Sequence, residues 1–379
     1  MHIAIFIDQM ARVGGSERVA ANLCQAWSED GAKVTLITLN PGTEGIVIPS
    51  EIVRRSLSSK PKRSGLTGLF DSVINGFRLG RAMREAKPDM VVAISTVASL
   101  QLAFARCAPG TIKFGSEHGY MRHYRQPSYI MLARRLLYPS LDAVVCPALR
   151  SAQAIAEDCP GTKALAVPNP LTLPLPASGP AISTDQFIKP SRRYFCTSAR
   201  LDPLKRIDQL IEAFALVNEK LLDWDLIILG DGPLRIELES KVKALELGAR
   251  VLFVGWVGNP AQWYERTDIF VFSSHSEGFG MVLAEAMAYG LPCITYDCDA
   301  GPADIVRDGI DGVVVPLGDI PALANQMRCL ALDSGRRAEF SQRARDVIDR
   351  FGNEAVLGRW QELIRSAKLL QGGQVNRTR

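Results

Sequence analysis

The chain has 379 residues, of which 47% are hydrophobic and 22% are charged, and its formal net charge is +4. This length suits two domains of ordinary size, and the composition excludes a disordered or fibrous chain. The eight cysteines include no Cys-x-x-Cys pair, which favours free thiols in a reducing compartment over disulfides or a zinc site. The longest apolar stretch, residues 90–105, is shorter than the ~20 residues that a membrane-spanning helix needs. Because the first residues form a strand-like run without a basic leader, we expect a cytoplasmic protein.

Short apolar runs alternate with helical patterns along the chain, as in βαβ units that build a parallel sheet. In the first half the predicted strands are His2–Ile7, Lys33–Leu39, Met90–Ile94, Ile112–Ser116 and Ala143–Cys146. In the second half they are Tyr194–Ser198, Asp225–Leu229, Val251–Val254, Ile269–Phe272 and Pro292–Tyr296. We therefore predict an α/β protein with two doubly wound, Rossmann-like domains and an interdomain cleft, in which ligands bind beyond the carboxyl ends of the strands.

The domain boundaries follow from a proline-rich stretch without periodicity, residues 168–180. We predict an N-terminal domain over residues 1–172, a linker over 173–190 and a C-terminal domain over 191–352. The amphipathic segment 354–370 predicts a terminal helix, and we expect residues 353–379 to pack back on the N-terminal domain.

Basic residues are concentrated in the first half. Residues 1–175 carry 20 Lys and Arg against 13 Asp and Glu, whereas the remaining 204 residues carry 24 against 27. Two runs hold most of the excess: Arg54, Arg55, Lys60, Lys62 and Arg63, and then Arg78, Arg81, Arg84 and Lys87. These runs indicate either a solvated surface or a contact surface for anionic partners such as phospholipid or a phosphorylated acceptor.

Gly14 and Gly15 follow the first predicted strand and precede a helical pattern. Adjacent glycines at a helix N-terminus let backbone N–H groups approach an anion, although they also suit a simple turn. A dehydrogenase would have Gly-x-Gly-x-x-Gly here and an acidic residue at the end of the second strand. The second strand ends in Thr-Leu-Asn at residues 38–40, so the sequence does not favour a dehydrogenase.

Two cations, Arg200 and Lys205, lie between the predicted strand 194–198 and a helix. An arginine fork and a lysine point charge at the carboxyl end of a strand suit a diphosphate, although isolated basic loops are more often simply solvated. The next predicted strand ends in Gly-Asp-Gly-Pro at residues 230–233, where turn chemistry is a sufficient explanation.

The densest group of polar and glycine residues spans 273–281 and leads into a helix that contains Glu285. Glu277 precedes this helix, so its carboxylate can accept hydrogen bonds from sugar hydroxyls, and the amides that follow can bind the same ligand. Those amides belong to Gly278, Phe279, Gly280 and Met281. Glu285 lies further into the helix and suits a ribose. The spacing alone is weak support, because Glu354 and Glu362 repeat it in the terminal helix.

Two further features each have a structural alternative. His118 follows the predicted strand 112–116 and would face the same cleft, although a lone histidine is more often structural. Asp297 and Asp299 have the Asp-x-Asp spacing of a metal site, but a turn at Ala300-Gly301-Pro302 follows them. We therefore predict no metal site.

Taken in order, five segments resemble glycosyltransferase family 4, the retaining enzymes of the GT-B fold. The segments are GGSERV (14–19), EHG (117–119), RLDPLK (200–205), GDGP (230–233) and EGFGMVLAE (277–285). The resemblance runs from residue 1 to the terminal helix and is more specific in the second half. Residues 297–306 look like members that build bacterial surface polysaccharides or lipid-linked oligosaccharides. Arg206 stands where the family commonly has glycine.

The resemblance implies a role for each candidate residue. Gly14, Gly15, Arg200 and Lys205 would hold the diphosphate of a nucleotide sugar, more often a UDP-sugar than a GDP-sugar. Glu277 and residues 278–281 would hold the transferred hexose or N-acetylhexosamine, Glu285 the ribose, and His118 would lie beside the sugar. The family transfers with retention and without an obligatory metal, and the leaving phosphate helps to deprotonate the acceptor.

The acceptor would be a glycan, lipid-linked in this group, which implies peripheral contact with the anionic cytoplasmic face of a membrane and no nucleic acid partner. Three alternatives remain open. A nucleotide-sugar epimerase and a phosphorylase share the architecture, although no pyridoxal lysine is evident for the latter. The third is a protein that binds the donor without turnover.

Overall fold

The computed structural model describes residues 1–11, 14–40, 45–57, 66–123, 126–177 and 179–375. These residues form two units, Met1–Pro170 with Asn353–Arg379, and Leu171–Gly352. Lys60, Lys62 and Arg63, three cations of the predicted basic surface, lie outside the described residues.

The first unit is built on a seven-stranded parallel sheet with the order β3-β2-β1-β4-β5-β6-β7. Its strands are β1 (His2–Ile7), β2 (Lys33–Thr38), β3 (Val53–Ser56), β4 (Met90–Ile94), β5 (Ile112–Ser116), β6 (Ala143–Cys146) and β7 (Ala164–Ala166). Its first five helices are α1 (Gly15–Glu29), α2 (Leu66–Ala86), α3 (Thr96–Phe104), α4 (Ser128–Leu137) and α5 (Leu149–Asp158). The strand order reverses between β1 and β4.

The second unit has a six-stranded parallel sheet with the order β10-β9-β8-β11-β12-β13. Its strands are β8 (Arg193–Ser198), β9 (Trp224–Leu229), β10 (Val251–Gly255), β11 (Ile269–Phe272), β12 (Cys293–Asp297) and β13 (Gly312–Pro316). Its helices are α6 (Ile207–Ala215), α7 (Arg235–Ala244), α8 (Pro260–Tyr264), α9 (Met281–Ala288), α10 (Pro302–Ile305), α11 (Ile320–Leu332), α12 (Ser334–Ala344) and α13 (Val347–Phe351). Here the order reverses between β8 and β11.

Each sheet has a hydrophobic core on both faces, as expected for parallel strands that read as continuous apolar runs. The last helix, α14 (Asn353–Val375), belongs to the first unit, where Trp360 packs edge-on against Trp27 and Phe114. All ten predicted strands are present, and the predicted fold of two doubly wound α/β domains is confirmed. Within the described residues, no helix combines the length and apolarity needed to cross a bilayer.

The predicted linker, residues 173–190, belongs to the second unit rather than connecting two bodies. The backbone of Ile182 exchanges two hydrogen bonds of 3.1 Å with the side-chain amide of Asn259, and Phe187 packs on the ring of Trp263. These partners lie about eighty residues further along the chain, so local composition could not reveal them.

The glycines after β9 hold the loop that follows β8. Gly230 has φ +121°, and a Cβ at this position would lie 1.9 Å from the carbonyl oxygen of Ala199. A Cβ on Gly232 would lie 2.5 Å from the carbonyl oxygen of Leu201, whose N–H donates to the carbonyl of Asp231 (3.0 Å). Turn chemistry is therefore only part of the reason for Gly-Asp-Gly-Pro. The two loops pack backbone to backbone at the carboxyl edge of the sheet.

We expect Gly230→Ala to lower the free energy of unfolding by about 2–4 kcal/mol, because it adds both steric overlap and left-handed strain. Urea denaturation would measure the change. Gly248→Ala is the matched control, since a Cβ there meets no described heavy atom within 4 Å, and we expect a change within about 0.5 kcal/mol. Equal effects of the two substitutions would contradict the packing argument.

Candidate active site

Lys205 and Glu277, two residues predicted to bind the nucleotide-sugar donor, meet where the second sheet reverses its strand order. In doubly wound sheets this reversal leaves a crevice at the carboxyl ends of the two strands. The loops after β8 and β11 are joined there. The N–H of His275 donates to the carbonyl of Leu204 (2.7 Å), and the hydroxyl of Ser273 donates to the carbonyl of Lys205 (2.8 Å).

Lys205 and Glu277 form an ion pair at this edge, with 2.5 Å between Nζ and Oε1. Their side chains are largely buried, 23% and 13% exposed, so the pair is less screened by water than a surface salt bridge. The sequence predicts a phosphate ligand for Lys205 and a sugar ligand for Glu277. The structure brings these two side chains into contact.

Arg200 occupies a different environment at the start of the same loop. Its side chain is 73% exposed, and its Nε lies 3.9 Å from a carboxylate oxygen of Asp202. Asp202 also caps the next turn by accepting from the N–H of Leu204 (3.0 Å). Arg206 ends that turn in the left-handed conformation, with φ 49° and ψ 39°. This conformation gives a physical reason for the glycine that the family commonly has at this position.

The Glu277 loop leads into α9 through Gly280, which has φ +102°. Within this loop Phe279 is buried, and on the helix Glu285 is only 1% exposed. The loop that follows β12 packs against the Glu277 loop. A Cβ on Gly301, which has φ +96°, would lie 2.1 Å from the carbonyl oxygen of Phe279.

The Asp-x-Asp sequence lies at the start of this supporting loop. Asp297 is the last residue of β12, and the chain then bends at residues 299–301. Among the described residues, no group of three or more His, Cys, Asp or Glu side chains is arranged to hold a metal ion.

In the first unit the glycine pair begins α1, with Gly14 as the N-cap in an extended conformation. A Cβ on Gly15 would meet no described heavy atom within 4 Å. A Cβ on Gly14 would meet only the carboxylate of Glu17, the end of a flexible side chain, at 2.5 Å. Packing within the described chain therefore does not require glycine here, which is compatible with a ligand approaching the backbone.

His118 lies just beyond β5, where its Nε2 is 2.9 Å from the hydroxyl of Ser116. Its Nδ1 is buried. Burial lowers the pKa of His118 to about 4, although a side-chain hydrogen bond with Asn169 acts in the opposite direction. At neutral pH the ring is therefore uncharged, and it can bind a ligand through a hydrogen bond but not as a cation.

Sequence reasoning overlooked the residue beside it, Glu117. This carboxylate is buried and accepts two hydrogen bonds from Arg134, 3.0 Å from Nε and 3.1 Å from Nη2. The Tyr138 hydroxyl donates a third. Burial and the Glu117 charge raise the pKa of Tyr138, which keeps its hydroxyl protonated as a donor. A buried carboxylate must be paired, so a glutamate directly after a buried strand is a sign in the sequence that a partner exists. The sequence does not show that this partner is Arg134.

A second overlooked residue is Ser95, which follows β4 at the reversal of the first sheet. Its φ of 117° and ψ of 161° are unusual for a residue with a side chain. The Ser95 N–H donates to the carbonyl of Ser116 (3.0 Å), so the strained residue is joined to the segment that carries His118. Nothing in the local sequence distinguishes this serine.

The predicted basic surface is partly neutralised. Arg54 and Arg55 lie on β3, which is exposed along its length. Arg55 and Arg81 both donate to Glu85, and these hydrogen bonds hold the pKa of that carboxyl below its usual range. Net charge over the first half therefore overstates the charge available to an anionic partner.

Two family descriptions match the chain: Glycosyltransferase Family 4 over residues 13–173, and Glycosyl transferases group 1 over residues 180–347. An exopolysaccharide phosphotransferase of Streptomyces coelicolor is 30% identical over 298 residues, which is 78% of this chain but only 30% of that protein. An α-1,4-N-acetyl-D-galactosaminyltransferase of Campylobacter jejuni is 27% identical over 96% of this chain and 98% of its own length. HepE of Anabaena, solved with UDP, has a TM-score of 0.77 and 19% identity, covering 97% and 100% of the two chains.

The two units therefore have the fold of a GT-B transferase. The chain belongs to the group 1 and family 4 glycosyltransferases, as the sequence motifs predict, and it is similar to enzymes of bacterial polysaccharide and lipid-linked sugar assembly.

We expect Lys205→Met to weaken binding of a nucleoside diphosphate by about 1.5–3 kcal/mol, or about 10- to 150-fold in Kd. Glu277→Gln should leave this affinity unchanged or improve it, because it removes a negative charge beside the lysine that is predicted to bind phosphate. Calorimetry with UDP and GDP tests both variants. Lys243→Met, on the exposed side of α7, is the control. Weaker binding by Glu277→Gln, or unaltered binding by Lys205→Met, would contradict the assignment.

The lowered pKa of His118 predicts a specific pH dependence of stability. Between pH 6.5 and about 4, His118 binds a proton in the unfolded chain but stays neutral in the native protein. Acidification over this range therefore lowers the free energy of unfolding. The contribution of this one group approaches about 1.4 kcal/mol per pH unit. Urea midpoints measured across this window should therefore fall more steeply in the wild type than in His118→Gln. Parallel profiles would show that the ring is not held neutral.

Proposed function

We propose that the protein is a retaining glycosyltransferase that moves a hexose or N-acetylhexosamine from a nucleotide diphosphate sugar to a glycan acceptor. UDP-sugars are the favoured donors. The acceptor is lipid-linked, and the product is a surface polysaccharide or oligosaccharide. The observation that carries the proposal is the Lys205–Glu277 pair, which puts a phosphate-binding cation and a sugar-binding carboxylate side by side.

Two relatives support the choice of substrates. The name of the Campylobacter enzyme specifies a GalNAc-containing acceptor linked through a diphosphate to undecaprenol. HepE has been solved with UDP, with UDP and glucose, and with UDP-glucose. A full-length match to the first and a matching fold in the second favour an analogous donor and acceptor here.

In the proposed reaction the bond between the anomeric carbon and the phosphate oxygen breaks, and a bond to the acceptor oxygen forms on the same face of the sugar. The acceptor proton passes to an oxygen of the leaving diphosphate. Lys205 and Arg200, with the amides at Gly14 and Gly15, stabilise the departing charge. Glu277 accepts from sugar hydroxyls together with the amides of residues 278–281, Glu285 accepts from the ribose, and His118 hydrogen-bonds the sugar as a neutral ring.

The proposed site needs no metal ion, because Lys205 and Arg200 would stabilise the charge of the leaving diphosphate. We also propose that the enzyme works in the cytoplasm as a peripheral protein on the anionic face of the inner membrane, where a lipid-linked acceptor is presented.

Transfer from a panel of UDP- and GDP-sugars to a polyprenyl diphosphate-linked glycan tests the proposal, with the anomeric configuration of the product read by NMR. We expect an α-linked product from an α-linked donor and equal rates with and without EDTA. Glu277→Gln should lower kcat/KM at least about 100-fold. Glu362→Gln, from the pair with the same spacing in α14, should not change it.

Three outcomes would overturn parts of this proposal. Release of an epimerised sugar without acceptor would identify an epimerase, and donor binding without turnover would identify a binding protein. Loss of activity in EDTA that Mg²⁺ or Mn²⁺ restores would give Asp297 and Asp299 a metal-binding role.

A further inference from the structure

Helix α4 buries a charged side chain and exposes several large apolar ones. Surface helices normally bury an apolar stripe and expose charged side chains. In α4 the fully buried residue is Arg134, with 0% exposure. Three of its large apolar residues face outward: Tyr129 is 47% exposed, Leu132 57% and Leu136 67%.

The inward side explains how the helix is held in this orientation. Arg134 forms two hydrogen bonds with Glu117 at the end of β5. Smaller contacts come from Ile130, Ala133 and Leu137, which pack against the hydrophobic core on this face of the sheet. If the helix rolled to bury its leucines, Glu117 would be left buried without its cation, which is strongly unfavourable. The outward orientation of the leucines is therefore fixed by the ion pair.

The outward side forms one continuous apolar strip. Residues 129, 132 and 136 are spaced by three and four, so they lie on the same side of the helix. The helix sequence, SYIMLARRLL, contains no acidic residue, and its second arginine, Arg135, is exposed beside the strip. An apolar strip with an aromatic residue and a flanking cation is suited to the boundary between lipid headgroups and acyl chains.

Helix α2 packs on the same hydrophobic core as α4. Helices α2 and α4 both pack against α3. Helix α2 exposes Ile74 and Phe77, with Arg78 and Arg81 on its exposed side. Two helices that pack against α3 thus expose large apolar side chains together with arginines.

We propose that the outward face of α4 docks on an anionic lipid bilayer, inserting Tyr129, Leu132 and Leu136 below the headgroups while Arg135 contacts lipid phosphate. A second copy of the chain fits less well. A symmetric dimer through this strip would bring the same arginines together, and the helix offers no carboxylate to pair with them. This inference rests on the proposed lipid-linked acceptor and places the membrane contact on α4 rather than on residues 54–63.

Vesicle flotation tests the proposal with the full-length protein and the double variant Leu132→Gln/Leu136→Gln. The matched control is Leu222→Gln/Ile236→Gln. It changes two apolar residues of the second unit that are 72% and 79% exposed, somewhat more than the two leucines of α4. On vesicles of phosphatidylethanolamine with phosphatidylglycerol, wild type and control should float. The α4 variant should partition at least about tenfold less, since it loses the apolar part of the contact.

Further measurements separate the apolar and ionic contributions. Raised salt should weaken wild-type binding without abolishing it, because screening acts on Arg135 and not on the leucines. Arg135→Glu should reduce binding to anionic vesicles and have little effect on neutral ones. Calorimetry with UDP should give the same affinity for every variant, which shows that the donor site is intact.

Two outcomes would overturn the proposal. Equal flotation of wild type and Leu132→Gln/Leu136→Gln would exclude α4 as the docking element. A concentration-dependent dimer that this variant dissociates, without vesicle binding by the wild type, would assign the strip to a second copy. Transfer to a water-soluble acceptor distinguishes both from a failure of the proposed function. That activity should persist in the α4 variant even where vesicle binding is lost, and its absence from the wild type would count against the transferase assignment itself.

Discussion

The Lys205–Glu277 ion pair depends on one constraint, the position at which the second sheet reverses its strand order. The two residues are 72 positions apart in sequence and meet because β8 and β11 are neighbours at that reversal. Parallel strands bring their carboxyl ends to one edge, so the loops that follow them are forced together. Gly230 and Gly301 then allow backbones to approach these loops more closely than any side chain would permit. The chemistry of the site therefore rests on backbone packing as much as on charged side chains.

The first unit applies the same topology with a different electrostatic result. Its β5 is followed by Glu117 and His118; the carboxylate is buried with a cation, and the imidazole is buried neutral. A fully buried pair such as Glu117–Arg134 contributes little net stability against an apolar alternative, yet losing one partner is costly. Such a pair fixes geometry more than it stabilises, and here it fixes both the end of β5 and the orientation of α4. The Lys205–Glu277 pair of the second unit keeps part of its surface exposed to solvent, as the proposed exchange of ligands would require.

Much of the fold could be predicted because buried parallel strands are continuous apolar runs. The three strands that were not predicted are explained individually. β3 is an exposed edge strand of sequence VRRS, and β7 has three residues. β13, Gly312–Pro316, carries a run of three valines and could have been predicted from the sequence. The loops of the candidate site could be proposed from the sequence because glycine and charge are local signals. The contact between Lys205 and Glu277, and the partner of Glu117, were not predictable, since both depend on which strands and helices become neighbours.

Charge shows the same limit most clearly, because composition counts ionised groups without their partners. The first half carries 20 basic residues, yet Arg55 and Arg81 share Glu85, Arg122 is paired with Glu157 and Asp158, and Arg134 is buried against Glu117. A surface recognises an anionic bilayer through the cations that remain exposed and through the apolar side chains beside them. A charge count takes no account of the exposed leucines of α4, and their spacing in the sequence is that of a helix face buried in a core. The burial of Arg134 on the opposite side explains why Leu132 and Leu136 face outward.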